Sequence, residues 1–311
     1  MNVRLVSYDP KYDASLRALE LAIVQGRSIK LEILKDHFLS RTTVYKTYHT
    51  CLAVDENEKA IGTAIGAKTE MIVNGDRFPS GVCYDVKVHP LYRKKGVGKL
   101  MAKHFYQTFF KEHGLTRNFI TLKLSNHPVI RLVSAVHKIW LYEFVYLTLP
   151  TKARVPQQRQ ANEHPFLFSI TLFQEETVDP SYYTVLPNGL GYFYTYKMYR
   201  LAITHIHPVL KWGLRIGQLL QPARYAHAPQ EGDTLRFACL YNHDAQNIKG
   251  INDVLEELEH QAINYLLVGC RKGDVIYRAL EKQSINTYGY YVLADFPLNK
   301  KDKVTIDVRC L

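Results

Sequence analysis

Val82-Cys83-Tyr84-Asp85-Val86-Lys87-Val88-His89-Pro90-Leu91-Tyr92-Arg93-Lys94-Lys95-Gly96-Val97-Gly98-Lys99-Leu100 is the stretch on which the reading of the fold turns. Val82 to Val88 is Val-rich and closed by His89-Pro90, which reads as a strand. Gly98 to His113 carries Met101, Phe105 and Phe109 at helical spacing and is followed by Gly114, which reads as an amphipathic helix with a glycine stop. Between them lies a basic turn. The first N–H groups of a helix have no carbonyl partner and point the positive end of the helix dipole at a common spot, so a strand–turn–helix of this kind predicts a phosphate cradle. Gly96 and Gly98 would let the backbone approach a ligand without Cβ obstruction. A P-loop is excluded, because Arg93 stands where its first glycine belongs and Leu100 follows Lys99. A dinucleotide fingerprint is excluded by Met101 at the third glycine position.

Outward from this stretch the chain reads as mixed α/β. A strand at Val3–Ser7 precedes a helix capped by Asp13, and Ile29, Leu31, Leu34 and Phe38 suggest a second helix over 29–40. Cys51–Val54 and Ala60–Ile72 read as strands, and Asn74-Gly75 is a hairpin signal before the strand at Val82. Downstream come a strand at Phe119–Leu124, a helix at Pro128–His137, and strands at Ile139–Leu149 and Phe166–Leu172 around a basic, Gln-rich loop. The Pro-containing segment Asp179–Asn188 predicts a boundary between residues 1–178 and 179–311. Elements look weak from there to residue 234. Leu235–Tyr241, Ile251–Ile263, Tyr265–Cys270, a helix capped by Asp274, and Tyr288–Ala294 then repeat the βαβαβ order of 82–148.

The hexapeptide Arg93 to Gly98 fits (Arg/Gln)-x-x-Gly-x-(Gly/Ala) after a V-x-V-x-P strand end, and so resembles motif A of the GNAT superfamily of N-acetyltransferases. Alone, such a hexapeptide arises by chance about 0.3 times in a chain of this length. Its place between a Val-rich strand and an amphipathic helix makes the match specific. Thr121-Leu122-Lys123-Leu124-Ser125-Asn126 is similar to the family's next strand, which ends in an Asn facing the pantetheine arm. The resemblance spans residues 1–178 and is greatest to the hookless-type branch; it implies a GNAT fold, with 179–311 a degenerate second GNAT-like domain packed on the first. It further implies acetyl-CoA as acetyl donor, direct attack by an amine, and a backbone N–H near Val86 that polarises the thioester carbonyl. Val86, Lys87 and Val88 would accompany the acetyl-pantetheine arm, Arg93, Lys94, Lys95, Gly96, Val97, Gly98 and Lys99 would hold the phosphates, and Asn126 would face the pantetheine.

The departure from the family lies at the proton donor: the usual Tyr, seven residues after the Asn, is Val133 here. Tyr142, His137 or water would have to stand in. Asp85, with Glu70 on the neighbouring strand behind it, is the candidate base, against a reading of Asp85 as a residue that orients backbone. A CoA-binding module without turnover is the alternative function.

Forty basic against 29 acidic residues give the 311-residue chain a net charge of +11, of which +9 falls in residues 1–178, where an anionic ligand therefore belongs. At 47% hydrophobic and 22% charged residues the chain has a full core, which excludes disorder, collagen and coiled coil. Nucleic acid is disfavoured, since no basic block or base-reading motif accompanies the charge. The expected partner is an amine-bearing small molecule or protein, with oligomerisation left open. No leader or membrane-spanning run is read, so the expectation is a cytoplasmic protein without a membrane partner. Five scattered cysteines suggest reduced thiols rather than disulfides or a zinc site. His205 and His207 alternate like metal ligands but lack a third, so no metal is expected. By strand alternation Cys83 and Asp85 share a face, with Cys83 read as a small buried hydrophobe. Gly213 and Gly217 in KWGLRIGQLL read as a helix-packing pair.

Overall fold

A computed structural model describes residues 2–23, 26, 28–156, 167–173, 178–222, 225 and 228–310. Most of the Gln-rich loop, 157–166, lies outside the described residues. In the first part of the chain β1 (Arg4–Val6), α1 (Asp13–Leu21) and β2 (Ile29–Leu34) precede the meander β3 (Tyr48–Val54), β4 (Ala60–Val73) and β5 (Asp76–Val88). Then come α2 (Val97–Gln107), α3 (Phe109–Glu112), β6 (Arg117–Lys123), α4 (His127–Ser134), β7 (Trp140–Pro150) and β8 (Leu167–Thr171). Beyond residue 178 follow β9 (Tyr183–Val185), β10 (Gly191–Phe193), β11 (Arg200–Ile206), α5 (Pro208–Leu220) and β12 (Thr234–Leu235). The last part holds β13 (Phe237–Tyr241), α6 (Ile251–His260), β14 (Tyr265–Cys270), α7 (Val275–Leu280), β15 (Asn286–Ala294) and β16 (Lys303–Asp307). The βαβαβ order of β5 to β7, counting α2 and α4, thus recurs from β13 to β15.

Four local readings need correction or completion. The expected helix over 29–40 is the strand β2: Ile29, Leu31 and Ile33 alternate, and their partner is β11, from a part of the chain that no local pattern announces. Asp9, not Asp13, makes the cap ahead of α1; its side chain accepts the Lys11 N–H at 2.9 Å, while Asp13 accepts the Tyr8 hydroxyl at 2.8 Å. The segment 179–234, read as weak, holds three strands and α5. Gly213 and Gly217 do not seat a second helix, since a Cβ at Gly213 would meet nothing and one at Gly217 would meet the Tyr225 ring. The hairpin at Asn74-Gly75 stands as read, with both residues at positive φ, which suits the twist of the long β4–β5 ribbon.

One sheet of 13 strands runs through the molecule in the order β1-β3-β4-β5-β6-β15-β7-β14-β13-β10-β9, with β16 paired to β4 and β8 to β16. A smaller sheet, β12-β11-β2, lies apart from it. Strands cross the expected boundary at residue 178: β15 pairs with β6 on one edge and β7 on the other, and β16 runs antiparallel to β4. The halves therefore share hydrogen-bonded sheet rather than merely touching. On one face Cys51, Ala53, Ala64 and Cys83 pack against Met101, Phe105 and Phe109 of α2 and α3; on the other, Leu52, Val54 and Ile65 pack with Leu16 and Leu19 of α1. Each such fully buried large side chain contributes about 1.5–3 kcal/mol.

The end of the chain is pinned by an ion pair inside this core. Arg309 and Asp307 are 1% and 0% exposed; the Arg309 Nε donates to the two Asp307 oxygens at 2.7 and 2.9 Å, and Nη1 donates to the Val44 carbonyl at 2.8 Å. The Tyr45 hydroxyl closes the network by donating to the Arg309 carbonyl at 2.6 Å. Asp307→Ala would leave the guanidinium buried without its carboxylate. A loss of about 3–5 kcal/mol in urea denaturation is expected.

Candidate functional site

Strands β5 and β6 run parallel and pair only at Ser80↔Arg117, Gly81↔Asn118 and Val82↔Phe119. Beyond Val82, β5 stays with β4 while β6 continues beside β15, so the two strands part and leave a wedge-shaped opening between them. The residues of β5 that flank the opening form a bulge. Thr63 faces Lys87 and Ile65 faces Tyr84, so Asp85 and Val86 share the single partner position of Ala64, and Asp85 takes φ +49°. Such a bulge bends its strand and turns one side chain over. The alternation that would place Cys83 and Asp85 on one face is thereby broken. Cys83 packs under α2, where burial pushes its thiol up to about 12 and leaves it inert, whereas Asp85 faces the α1 side.

The basic turn expected to cradle phosphate follows directly. Gly96 is the N-cap of α2 at φ +87°, a conformation that L side chains rarely adopt, preceded by Lys94 at φ +61°. The two glycines of the motif have different reasons. A Cβ on Gly96 would meet no atom within 4 Å, so its requirement is the backbone angle; one on Gly98 would lie 2.4 Å from Leu132 Cδ1, so Gly98 lets α4 close on α2. Val97 is buried against the sheet face that also carries Val86 and Val88. Lys94, Lys95 and Lys99 are exposed around the turn, Lys95 with its ammonium 5.4 Å from the Tyr92 ring centroid. The Arg93 Nε instead folds back to donate to the Val88 carbonyl at 3.1 Å. Asn126 is the N-cap residue of α4. These features fit a CoA phosphate chain: a wedge for an extended arm, and beside it a helix N-terminus with basic side chains.

On the opposite face the bulge ends in a buried charge cluster. Asp85, its side chain 6% exposed, accepts from Lys35 Nζ at 2.6 Å and Arg41 Nη1 at 3.2 Å, and Lys87 Nζ lies 3.9 Å away. Lys87 and Lys35 also donate to Glu20 Oε1 at 2.6 and 3.2 Å. Burial pushes the Asp85 pKa up, yet Lys35, Lys87 and Arg41 together outweigh it and hold the carboxyl well below the usual carboxylate range. Of the residues expected at the cofactor, Lys87 thus sends its side chain to Glu20 and leaves only its backbone on the wedge. Lys35 and Arg41 were not anticipated, because both lie in or beside the segment that reads as a helix.

The other acid–base candidates are not brought to this cluster. Glu70 pairs with Arg77 at 2.7 Å near the far end of the β4–β5 ribbon, opposite Pro79. The Tyr142 hydroxyl accepts the Leu298 N–H at 2.5 Å and lines a separate cavity with Leu124 and Arg271. Val133 is buried against Leu122 and Leu293. His137 stacks on Tyr106 with centroids 4.6 Å apart and lies 4.0 Å from Asp295. Among the described residues no group of three or more His, Cys, Asp or Glu is arranged to hold a metal, and no helix is long and apolar enough to cross a membrane.

The equivalent place in the later βαβαβ unit is filled. Strands β13 and β14 pair in parallel only from Phe237 to Cys239, but Asn242 N–H donates to the Ile170 carbonyl at 2.8 Å and His243 Nε2 donates to the Gly269 carbonyl at 2.7 Å across the gap. At the start of α6 the Asn188 amide donates to Asp253 at 3.0 Å, and that acidic residue stands in the first turn, where it opposes an anion.

A parallel pair that opens at a bulge beside a glycine-capped helix defines the α/β fold of this part of the chain. Residues 20–135, which contain the bulge and the basic turn, match the acetyltransferase (GNAT) family. The whole chain is similar in fold to N-myristoyltransferase of Saccharomyces cerevisiae with bound myristoyl-CoA, at 10% identity over 96% of this chain and 84% of that one, with a TM-score of 0.56. Also similar are a tandem GNAT protein from the clavulanic acid biosynthesis pathway (10% identity, 96% of this chain and 100% of that one, TM-score 0.47) and an acetyltransferase of Anabaena variabilis (11%, 94% and 72%, 0.46). No curated protein matches the sequence.

The plug in the second gap has a pH signature. Burial pushes the His243 pKa down to about 4, more than its bond to Gly269 can raise it. An unfolded His titrates near 6.5, so between these values the unfolded chain binds the extra proton and stability rises with pH. Through this group stability is expected to fall by up to about 3 kcal/mol as pH drops from about 6.5 to about 4. In urea denaturation at stepped pH, His243→Gln is expected to lack that share.

Proposed function

We propose that the protein transfers an acetyl group from acetyl-CoA to an amine. The observation that carries the reading is the opening between β5 and β6, with the bulge at Asp85 on one side and the Gly96 cap of α2 beside it. The acyl donor lies with its phosphates on the N–H groups of Val97, Gly98 and Lys99, held by Lys94, Lys95 and Lys99, and its arm passes along Val86 and Val88. The donor supplies a thioester carbonyl. The amine nitrogen bonds to that carbon, the C–S bond breaks, its electron pair leaves on sulfur, and the proton lost by nitrogen is balanced by the one the thiolate takes up from solvent.

Asp85 acts as a positioning residue. It is already held by Lys35 and Arg41, and a carboxyl so far below its usual range is a weak proton acceptor. Three cations against Asp85 and Glu20 leave one positive charge at the bulge. That charge favours the neutral form of an incoming amine and stabilises a leaving thiolate, which lightens the need for the tyrosine replaced by Val133. The buried Val133 equally favours a second reading, a module that binds CoA without turnover.

Calorimetric titration with acetyl-CoA is expected to give one site per chain, because the second gap is plugged. Gly96→Val, which forces a β-branched residue into positive φ, is expected to weaken that binding at least about ten-fold. Thiol release on adding amines separates the two readings: binding without release selects the module, and absence of binding refutes both.

Asp85→Asn is expected to lower kcat/KM by about ten- to hundred-fold through loss of positioning, while the pH–rate profile between pH 6 and 9 keeps its shape. Disappearance of a limb of that profile in the variant would make Asp85 the base instead.

A further inference from the structure

Helix α5 has no buried residue along its 13 positions. Its half-buried side carries Leu210 and Leu214, which line a cavity of about 500 Å³ between the two sheets, floored by β6, β15, β7, β14 and β13 and roofed by β2, β11 and α5. On another side Val209, Trp212, Ile216, Leu219 and Leu220 fall within an arc of about 100° at the helical period. All five are exposed, from 46% at Ile216 to 83% at Leu219. This outer stripe is not the face by which the fold holds the helix. A contiguous apolar patch of this kind on a surface marks an interaction site.

Charge and area identify what covers it. From Pro180 to Gln230 the chain has five Lys or Arg and no Asp or Glu. Two of the five, Lys211 and Arg215, lie along one border of the stripe, the first with its Nζ 3.7 Å from Glu231. An apolar stripe that includes a Trp and is bordered by cations is the pattern of a helix lying in the plane of an anionic bilayer, with its apolar side chains at the acyl boundary and its cations among the headgroups. A second copy of the chain fits less well. The helix is about 20 Å long and the stripe about 10 Å wide, so its footprint is roughly 200 Å², against about 800 Å² on each side of a stable protein interface. The expectation of a chain without a membrane partner rested on the lack of a spanning run, and an in-plane helix needs none.

We propose that α5 docks the protein on a bilayer rich in anionic lipid, with Val209, Trp212, Ile216, Leu219 and Leu220 in the lipid and Lys211 and Arg215 at the headgroups. The docking is peripheral and reversible, because five side chains on one short helix rest in the surface of the bilayer and do not span it. It stands independently of the proposed acyl transfer. It also sets the cavity lined by Leu210 and Leu214 about one helix diameter, roughly 10 Å, from the bilayer surface.

The test is co-sedimentation of the full chain with vesicles of phosphatidylcholine alone and of phosphatidylcholine and phosphatidylglycerol in equal parts. Binding to the mixed vesicles is expected to be at least about ten-fold tighter than to the neutral ones, with the preference shrinking in high salt. Leu219→Glu combined with Leu220→Glu, both at exposed positions, is expected to weaken binding at least about hundred-fold, with an unchanged urea midpoint as the control that the fold stands. Mixed vesicles are also expected to shift the tryptophan emission to shorter wavelength. Trp212→Phe, which keeps an apolar ring in the stripe, is expected to sediment with the vesicles but lose that shift, since the other tryptophan, Trp140, stays out of the lipid. Failure of the unaltered chain to sediment with the mixed vesicles would overturn the proposal. So would binding that survives the double Glu variant or an emission shift that persists in Trp212→Phe, because either places the contact on another face. A chain that dimerises in vesicle-free buffer and becomes monomeric in the double Glu variant would overturn it as well, by giving the stripe to a second copy.

Discussion

The bulge that sets Asp85 and Val86 against Ala64 is the constraint on which the site depends. A regular ladder would carry β5 alongside its neighbours with strict alternation, and Asp85 would follow Cys83 toward α2. The extra residue bends β5 away from β6 and turns Asp85 to the other face. Positive φ at an aspartate is strained, and Lys35 and Arg41 hold the carboxylate where that strain puts it. One local irregularity thus separates the basic, glycine-capped N-terminus of α2 from a charge cluster on the reverse side. The opening between the strands joins them.

The second constraint is the sharing of strands between the halves. With β15 between β6 and β7, and β16 on β4, neither half closes its own sheet, and cutting the chain at residue 178 would leave long hydrogen-bonding edges of β6 and β7 unpaired. The buried Arg309–Asp307 pair fastens the far end of the chain against Val44 and Tyr45 of the first half. The same arrangement supplies the cavity: its floor crosses from β6 into β14 and β13, and its roof joins β2 to β11. The later βαβαβ unit serves as wall and support, its own gap plugged by His243 and by the bond from Asn242 to β8.

Burial divides the titratable groups into those that hold structure and those free to meet a ligand. Asp85, Glu20, Lys35, Arg41 and Lys87 neutralise one another to within a single charge, which keeps several ionised groups tolerable at low exposure. Lys94, Lys95 and Lys99 stay at the surface around the Gly96 cap.

The amino-acid sequence by itself determined the glycine-capped turn, α2, the hairpin at Asn74-Gly75 and the order of the βαβαβ units, because each rests on residues within a few positions of one another: a glycine at positive φ, a helix face, a two-residue turn. It determined too that the first half is the more basic. Only the tertiary structure decided that 29–34 is a strand, since its partner β11 lies far along the chain, and that Asp85 and Cys83 face opposite ways, since the bulge is a matter of register against β4. It also decided that Lys35 and Arg41 meet Asp85. Strand pairing and register are set by hydrogen bonds between distant segments, and such partners are chosen by the folded whole and not by local pattern.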